Sequence, residues 1–329
     1  MRDVLALEYA IRRPRASDAE GVHALLAASD SAEFGESTGY ELDELRDDWA
    51  RMELDHDAWM ALGPGGEFAG FAFVQQLRYV RIDSEIYVHP GHFGRGIGTT
   101  LIRLAEARAR TWIPLAPPQA RAVLHNWINA RNADACSLLE REGYAPERYF
   151  RRMRIELGDA PPEPVWPEGV TVRSASPDED VRPFSETAAE AMADHWGHVT
   201  ERFEEWRERR MGHGFDPTLW FLAMAGEEPA GVALGSVSEG NGWVDTLAAP
   251  GPWRRRGLGA ALLHHAFGDY RRRGIGRVEL AVDAESATGA TRLYERVGMR
   301  ASQQNAGYGK ELRPGEEPAL AGEGVATAG

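Results

Sequence analysis

Trp253-Arg254-Arg255-Arg256-Gly257-Leu258-Gly259-Ala260 stands between an apolar run that reads as a strand, Gly242 to Ala249, and an amphipathic segment that reads as a helix, Gly259 to Arg273. Glycines at such a junction let successive backbone amides approach an anion, and the helix N-terminus adds partial positive charge. A pyrophosphate fits the turn, with three arginines to screen its phosphates at the rim. Alone, the pattern also suits a tight bend with a solvated basic cap. It has a twin in Phe93-Gly94-Arg95-Gly96-Ile97-Gly98-Thr99. Neither carries a further glycine three residues on, so the dinucleotide fingerprint fails, and neither has the Lys-Ser/Thr pair of a P-loop.

Outward from these turns the chain repeats itself. Arg12 and Arg173, Trp59 and Trp220, Ala69-Gly70 and Ala230-Gly231, and Gly98 and Gly259 all lie 161 positions apart. Further on the lag is 155, where Ala135, Leu138, Glu140-Arg141 and Gly143 match Ala290, Leu293, Glu295-Arg296 and Gly298. A single register held this far indicates duplication rather than compositional coincidence. Between the copies, residues 158–168 contain Pro161, Pro162, Pro164 and Pro167, which favour an extended linker. The expected organisation is a first domain over 1–157, the linker, a second domain over 169–313, and a disordered Gly/Ala/Glu-rich tail over 314–329.

Each copy reads as the same series. First strands (Tyr9 to Arg12, Val170 to Arg173) precede helices capped by Ser17 or Asp18 and by Asp178, running to about Ala28 and Ala193. A further helix follows Thr200. Three antiparallel strands come next, Ala58 to Leu62, Phe68 to Gln76 and Arg81 to Val88, matched by Leu219 to Ala225, Ala230 to Ser238 and Gly242 to Ala249. The glycine turn and its helix, a buried strand (Ala120 to His125, Arg277 to Asp283), a last helix and a final strand (Arg148 to Leu157, Arg300 to Leu312) complete a mixed α/β sheet.

Composition bounds the function. The 329 residues are 43% hydrophobic and 27% charged, which excludes a disordered or collagen-like chain. A net charge of −14 argues against nucleic acid as a partner and for cationic small molecules. Cys136 is the only cysteine, so there is no internal disulfide or thiolate zinc cluster, and a reducing, cytoplasmic home is expected. Met1 to Arg15, interrupted by Asp3, Glu8 and Arg12, lacks the apolar core of a signal peptide, and no run reaches membrane-spanning length. His89, His92 and His125 fit no common metal-ligand spacing, so no metal is expected.

The turns resemble those of the GNAT family of acyl-CoA-dependent N-acetyltransferases, whose pattern is Gln/Arg-X-X-Gly-X-Gly/Ala after the fourth strand. Arg254, Gly257 and Gly259 match it; Gly96 and Gly98 match, with Phe93 in place of the Gln/Arg. The family's later Ala-X-X-Leu-Tyr-Glu-X-X-Gly-Phe element is similar to Ala290, Leu293, Tyr294, Glu295, Gly298 and Met299, whereas the first copy has Leu139 where the tyrosine stands. The resemblance spans about residues 11 to 157 and 169 to 312. The tandem layout is similar to that of mycothiol synthase and its actinobacterial relatives, a likeness that does not fix a substrate.

What the resemblance implies is an acetyl-CoA cleft in which Tyr294 is the general acid. It further implies that the amides near Leu247 and Ala248, on a splayed fourth strand, support the oxyanion. Leu247, Ala248, Ala249, Arg254, Arg255, Arg256, Gly257, Leu258, Gly259 and Ala260 would hold acetyl-CoA in the second copy, and Val88, Gly94, Arg95, Gly96, Ile97, Gly98 and Thr99 in the first. Asp245 is the first choice of base, since alternation places it on the face of Leu247. Its alternative reading is a strand-edge carboxylate turned to water. Glu190, Asp194 and His195 with Trp196 are the other residues able to shape an amine pocket. In the first copy Glu85 could act as base but lacks an acid, so that half is expected to be weak or inert, either holding acetyl-CoA or only supporting its neighbour. Cys136 reads as a small buried hydrophobe. The expected activity is transfer of acetyl to a small-molecule amine such as a polyamine, aminoglycoside-like or aminoacyl amine. The alternative is an acyl-CoA sensor without turnover. Oligomeric state stays open.

Overall fold

The computed structural model describes residues 5–36, 40–158, 161–193, 195–197, 201–212, 214–286 and 289–316. The first copy runs through β1 (Ala10–Arg12), α1 (Ala19–Phe34), α2 (Leu42–Arg51), a single turn α3 (Leu54–Asp57), β2 (Ala58–Leu62), β3 (Phe68–Leu77) and β4 (Arg81–Val88). It continues through α4 (Ile97–Trp112), β5 (Ala122–Asn129), α5 (Ala133–Arg141) and β6 (Ala145–Glu156). The second copy repeats the order with β7 (Val170–Ser174), α6 (Val181–Met192), α7 (Phe203–Arg210), β8 (Trp220–Ala225), β9 (Glu228–Ser238) and β10 (Asn241–Ala248). It ends with α8 (Leu258–Arg272), β11 (Arg277–Asp283), α9 (Ala290–Arg296) and β12 (Arg300–Arg313). The expected linker lies partly, and the expected tail mostly, outside the described residues, as does Thr200.

Two compact units form, and they cut across the sequence repeat. The described residues of one fall within Met1–Phe150 and Gln303–Pro318, those of the other within Arg151–Ser302. In the first unit the strand order is β1-β2-β3-β4-β5-β12; in the second it is β6-β11-β10-β9-β8-β7. Each sheet is therefore completed by the last strand of the other copy. In the first unit β12 runs antiparallel to β5 from Asn305↔Asn129 to Arg313↔Ala122, and Lys310 Nζ reaches Glu106 and the Glu142 carbonyl, both at 2.7 Å. In the second, Arg152 and Arg154 of β6 both donate to the buried Glu279 of β11. Two guanidinium partners satisfy a carboxylate that alone would be costly to desolvate.

Each sheet buries both faces. In the first unit Ile82, Leu101 and Leu124 form the core beneath α4, while Val22, Leu25, Met60 and Phe71 form the core beneath α1. In the second, Leu262, Phe267, Tyr270 and Val278 lie on the α8 side and Phe184, Trp206, Trp220 and Leu234 on the α6 side. Helix α2, unforeseen in the sequence, joins the first unit through Leu45 and Trp49, one helical turn apart and both buried.

The caps differ from expectation. The Asp18 side chain makes no cap bond at the start of α1; it takes a two-pronged contact from Arg12, at 2.6 and 3.0 Å, and the Arg15 amide at 2.7 Å. In the second copy the matching carboxylate is Asp180, not Asp178, held by Arg173 and by the Ser176 amide at 2.6 Å. The repeated arginines thus tie each first strand to its first helix, and the hydrogen bonds from them hold both carboxyls below the usual range. Among the described residues no helix is long and apolar enough to cross a membrane.

Candidate active site

In the second unit β10 pairs parallel to β11 only at Gly242↔Val278 and Trp243↔Glu279. Beyond Trp243 that register ends and the two strands part, leaving this edge of β10 through Leu247 and Ala248 without a ladder pair to β11. On its other edge β10 follows β9 to Ala248↔Val232, with a slip between Val244 and Thr246 that makes Asp245 the extra residue of a β-bulge. A bulge re-aims a side chain and increases local twist. Its location is built from three residues. Tyr270 of α8 donates its hydroxyl to the Trp243 carbonyl at 2.6 Å and approaches the Ser236 carbonyl at 3.2 Å. Its ring and hydroxyl occupy space that side chains on Gly235 and Gly242 would fill: a Cβ at Gly235 would lie 2.3 Å from the hydroxyl, and one at Gly242 2.8 Å from the ring.

The bulge interrupts the alternation on which Asp245 is placed beside Leu247. Val244 and Leu247, three residues apart, both pack in the α8-side core, and Ala248 packs on the α6 side. Asp245 is exposed at the residue level, yet enough protein surrounds its carboxyl for desolvation to push it above the usual range, with the Arg210 charge and a 2.8 Å hydrogen bond from Ser236 Oγ opposing. A carboxylate of this kind is a better proton acceptor than an ordinary aspartate.

The glycine turn follows. Gly257 has φ +89°, in the region that favours glycine, and caps α8; a Cβ there would meet nothing within 4 Å, so the turn is open in front. Leu258 and Ala248 bury their side chains, Leu247, Gly259 and Ala260 are half-buried, and Ala249 ends the strand region, so these residues offer mainly backbone to a ligand. Arg254 does not stand at the rim as expected. Its guanidinium donates to the Ala249 carbonyl at 3.1 Å and to the Ala191 carbonyl at 2.7 Å, binding the turn to the ends of β10 and α6. Arg255 and Arg256 are exposed, the latter over the Trp253 ring. An open backbone cradle at a helix N-terminus with two exposed arginines fits the diphosphate of coenzyme A.

Tyr294, on α9, is 7% exposed and packs among the α8-side core. Burial pushes its phenol up to about 12, so it carries its proton at neutral pH. Glu190 is exposed on α6, His195 and Trp196 are half-buried just past it, and Asp194 lies outside the described residues. Sequence reading missed Arg210, at the end of α7, and Tyr270. The spacing of Arg210 from Asp245 carries no local signal, whereas Gly235 and Gly242 hinted that something large approaches the sheet.

The first unit has the same opening without the bulge. Strands β4 and β5 pair from Arg81↔Val123 to Ser84↔Asn126 and no further, while β4 pairs β3 without a slip up to Val88↔Gly70. Gly94 and Gly96 have φ +73° and +81°, Arg95 and Phe93 are exposed, and Ile97 and Thr99 are buried, Thr99 at 2%. Gly98 packs against Leu138 as Gly259 packs against Leu293. Glu85 accepts from Tyr87 Oη, and burial pushes its carboxyl up; Tyr40 donates to nearby Asp48. Leu139 is buried where Tyr294 stands in the second copy, and Cys136 is half-buried at the core edge. The histidines are occupied locally: His92 with Tyr9 at 2.9 Å and His125 with Glu147 at 2.9 Å.

Two openings, each beside a glycine turn, agree with what sequence comparison finds. The family described as Acetyltransferase (GNAT) family matches residues 21–144 and again 182–299. The chain belongs to the GNAT family. It is an acyl-CoA-dependent N-acetyltransferase with two tandem GNAT regions. Among its relatives is a mycothiol acetyltransferase of Thermobispora bispora, 31% identical over 73% of this chain and 79% of that one. A GCN5-related N-acetyltransferase from Sphaerobacter thermophilus superposes with a TM-score of 0.84 at 36% identity, covering 96% of this chain and 99% of that chain. A tandem GNAT protein from the clavulanic acid biosynthesis pathway shares the fold, with a TM-score of 0.72 at 17% identity over 94% of this chain and all of its own.

Proposed function

We propose that this GNAT protein acetylates the amine of a small molecule in its second unit, by direct attack. Acetyl-CoA, when bound, supplies the acetyl group as a thioester. The backbone of residues 257–260 and the exposed Arg255 and Arg256 hold the diphosphate, and the edge of β10 at Leu247 to Ala249 lies along the acyl arm. Asp245 takes the proton from the amine nitrogen as the carbon–nitrogen bond forms. One β10 amide, that of Leu247 or of Ala248, donates to the carbonyl oxygen, since successive strand amides point to opposite edges and the other edge pairs with β9, and Tyr294 Oη holds the proton that the departing sulfur requires. The relatives named mycothiol acetyltransferase support a small-molecule amine as acceptor.

The observation that carries the reading is the coincidence, in one unit, of an opened β10–β11 pair, a bulged carboxylate with a raised pKa and a protonated phenol. In the first unit Leu139 leaves the phenol's place apolar, so there the same reading stops at cofactor binding. The test is thiol release from acetyl-CoA across a panel of amines. Tyr294→Phe is expected to lower release about 100-fold or more while acetyl-CoA still binds. Undiminished release would remove Tyr294 from the chemistry, and tight acetyl-CoA binding with no release on any amine would favour a sensor.

A further inference from the structure

The first unit carries a contact whose partners the repeat does not preserve. Beyond Ser84↔Asn126, β4 and β5 have no ladder pair, yet β5 continues to Asn129. Successive strand amides point to opposite edges. Ala130 donates to the Gln304 carbonyl of β12 at 2.9 Å, so the Asn129 amide points the other way, toward the edge that β4 has left. That amide donates to Glu33 Oε1 of α1 at 3.0 Å. A carboxylate thus takes the bond that a continued ladder would have given to a β4 carbonyl. Two further bonds fasten the same turn of α1. Asn129 Nδ2 donates to the Glu33 carbonyl at 3.3 Å, and Asn132, whose Oδ1 caps α5 at the Ala135 amide at 3.0 Å, bonds the Glu33 carboxylate. Burial pushes that carboxyl up, which marks a group enclosed by protein rather than one lying on the surface.

The rest of α1 stands on the β4 side of the gap. Val22 and Leu25 pack in one core with Phe71 of β3, and Tyr87 of β4 lies against it. The helix therefore rests on β3 and β4 and reaches β5 with its last turn, spanning the place where the strands part on the face opposite α4. The glycine turn leads into α4, so a thioester threaded from that turn between the strands would meet an amine on the α1 face. We propose that Glu33 is a bolt across that mouth: fastened to Asn129 and Asn132, the last turn of α1 keeps acceptors from an acyl group held in the first unit. The bolt is separate from the missing phenol, and it rests on the proposed function only in supposing that the first turn holds acetyl-CoA. At the lag of 155, Ala284 and Ala287 stand where Asn129 and Asn132 do, so the second copy has neither amide side chain. Glu85, the first unit's candidate base, is already engaged by Tyr87 on the same stretch of β4. The unit that lacks the acid is thus also the one whose acceptor mouth is fastened.

The test uses the full chain with Gly257→Glu, which leaves acetyl-CoA only the first turn, and compares it with and without Glu33→Ala. Hydrogen exchange of the Asn129 amide, followed by NMR, is expected to quicken about 10- to 100-fold in Glu33→Ala while β2 and β3 keep their protection. Glu33→Gln retains an acceptor oxygen and should lie between. Hydroxylamine then probes the mouth, because it cleaves a thioester without help from any protein group: its nitrogen bonds the acetyl carbon, the carbon–sulfur bond breaks, and the proton it loses ends on the departing thiol. With protein in excess over acetyl-CoA, the bound thioester should react about 10-fold or more slowly than free acetyl-CoA, and Glu33→Ala should remove most of that shielding. Thermal melts separate an opened mouth from a lost helix, with Glu33→Gln as the reference if Glu33→Ala is unstable. Equal Asn129 exchange with and without Glu33→Ala, or equal hydroxylamine cleavage of bound acetyl-CoA, overturns the proposal. If the Gly257→Glu chain binds no acetyl-CoA, the cofactor reading of the first turn falls, and Asn129 exchange alone decides the bolt.

Discussion

Replacing Tyr270 by phenylalanine removes one hydroxyl and leaves the ring in the space opened by Gly235 and Gly242. What is lost is the 2.6 Å bond to the Trp243 carbonyl and the 3.2 Å contact to the Ser236 carbonyl. Trp243 is the last residue paired with β11, and Ser236 holds Asp245, so the hydroxyl joins the two strands where the cleft opens. Leaving such carbonyls without their donor costs about 1–3 kcal/mol. For a unit of this size each kcal/mol moves Tm by about 2–4 °C. A fall of roughly 2–12 °C in the melting transition of the second unit is the expected range. The same change frees the bulge, so kcat/KM for amine acetylation should fall further than the stability loss explains at a temperature where the variant is fully folded. The assay is thiol release against pH, paired with a thermal melt. A variant that melts with wild type and keeps its full kcat/KM would refute the idea that Tyr270 fixes the bulge.

Three other outcomes are expected. Gly257→Glu forces a side chain into a φ of +89° and sets a carboxylate where phosphate belongs, so calorimetric titration should lose acetyl-CoA binding to the second unit, and an unchanged affinity would exclude the turn as the diphosphate site. The Asp245 carboxyl is raised in the folded protein, so the protonated form is favoured by folding; its stabilising effect is greatest at low pH, declines as pH rises from the unfolded value through the folded one, and leaves a net cost at neutral pH. Asp245→Asn should therefore melt no lower than wild type at pH 7 while losing the acidic limb of the rate profile and most activity; a lower Tm with normal turnover would contradict both parts. Truncation after Ser302 removes β12 from beside β5, so hydrogen exchange should show lost protection in β5 and β4, and native protection there would argue against the strand's contribution.

Local pattern carried much of the fold. Strands β2, β4 and β11 begin and end where their apolar runs do, because short buried strands bounded by turns leave an unambiguous trace. Helix α2 escaped because charged residues dominate Leu42–Arg51, hiding the Leu45 and Trp49 pair. The glycine turns were legible because positive φ admits few other residues. What periodicity cannot report is which strand lies alongside which: β5 pairs with residues almost two hundred positions later. The same blindness hid the bulge, since alternation assumes an uninterrupted ladder.

The traded final strands bear on how the duplication persists. A gene that loses either repeat deletes one edge of the surviving sheet as well, so the half with leucine in the phenol's position cannot be discarded without damaging the half that keeps the phenol. The exchange of strands thereby couples the retention of each scaffold to that of the other, a mechanical reason for the repeat to endure.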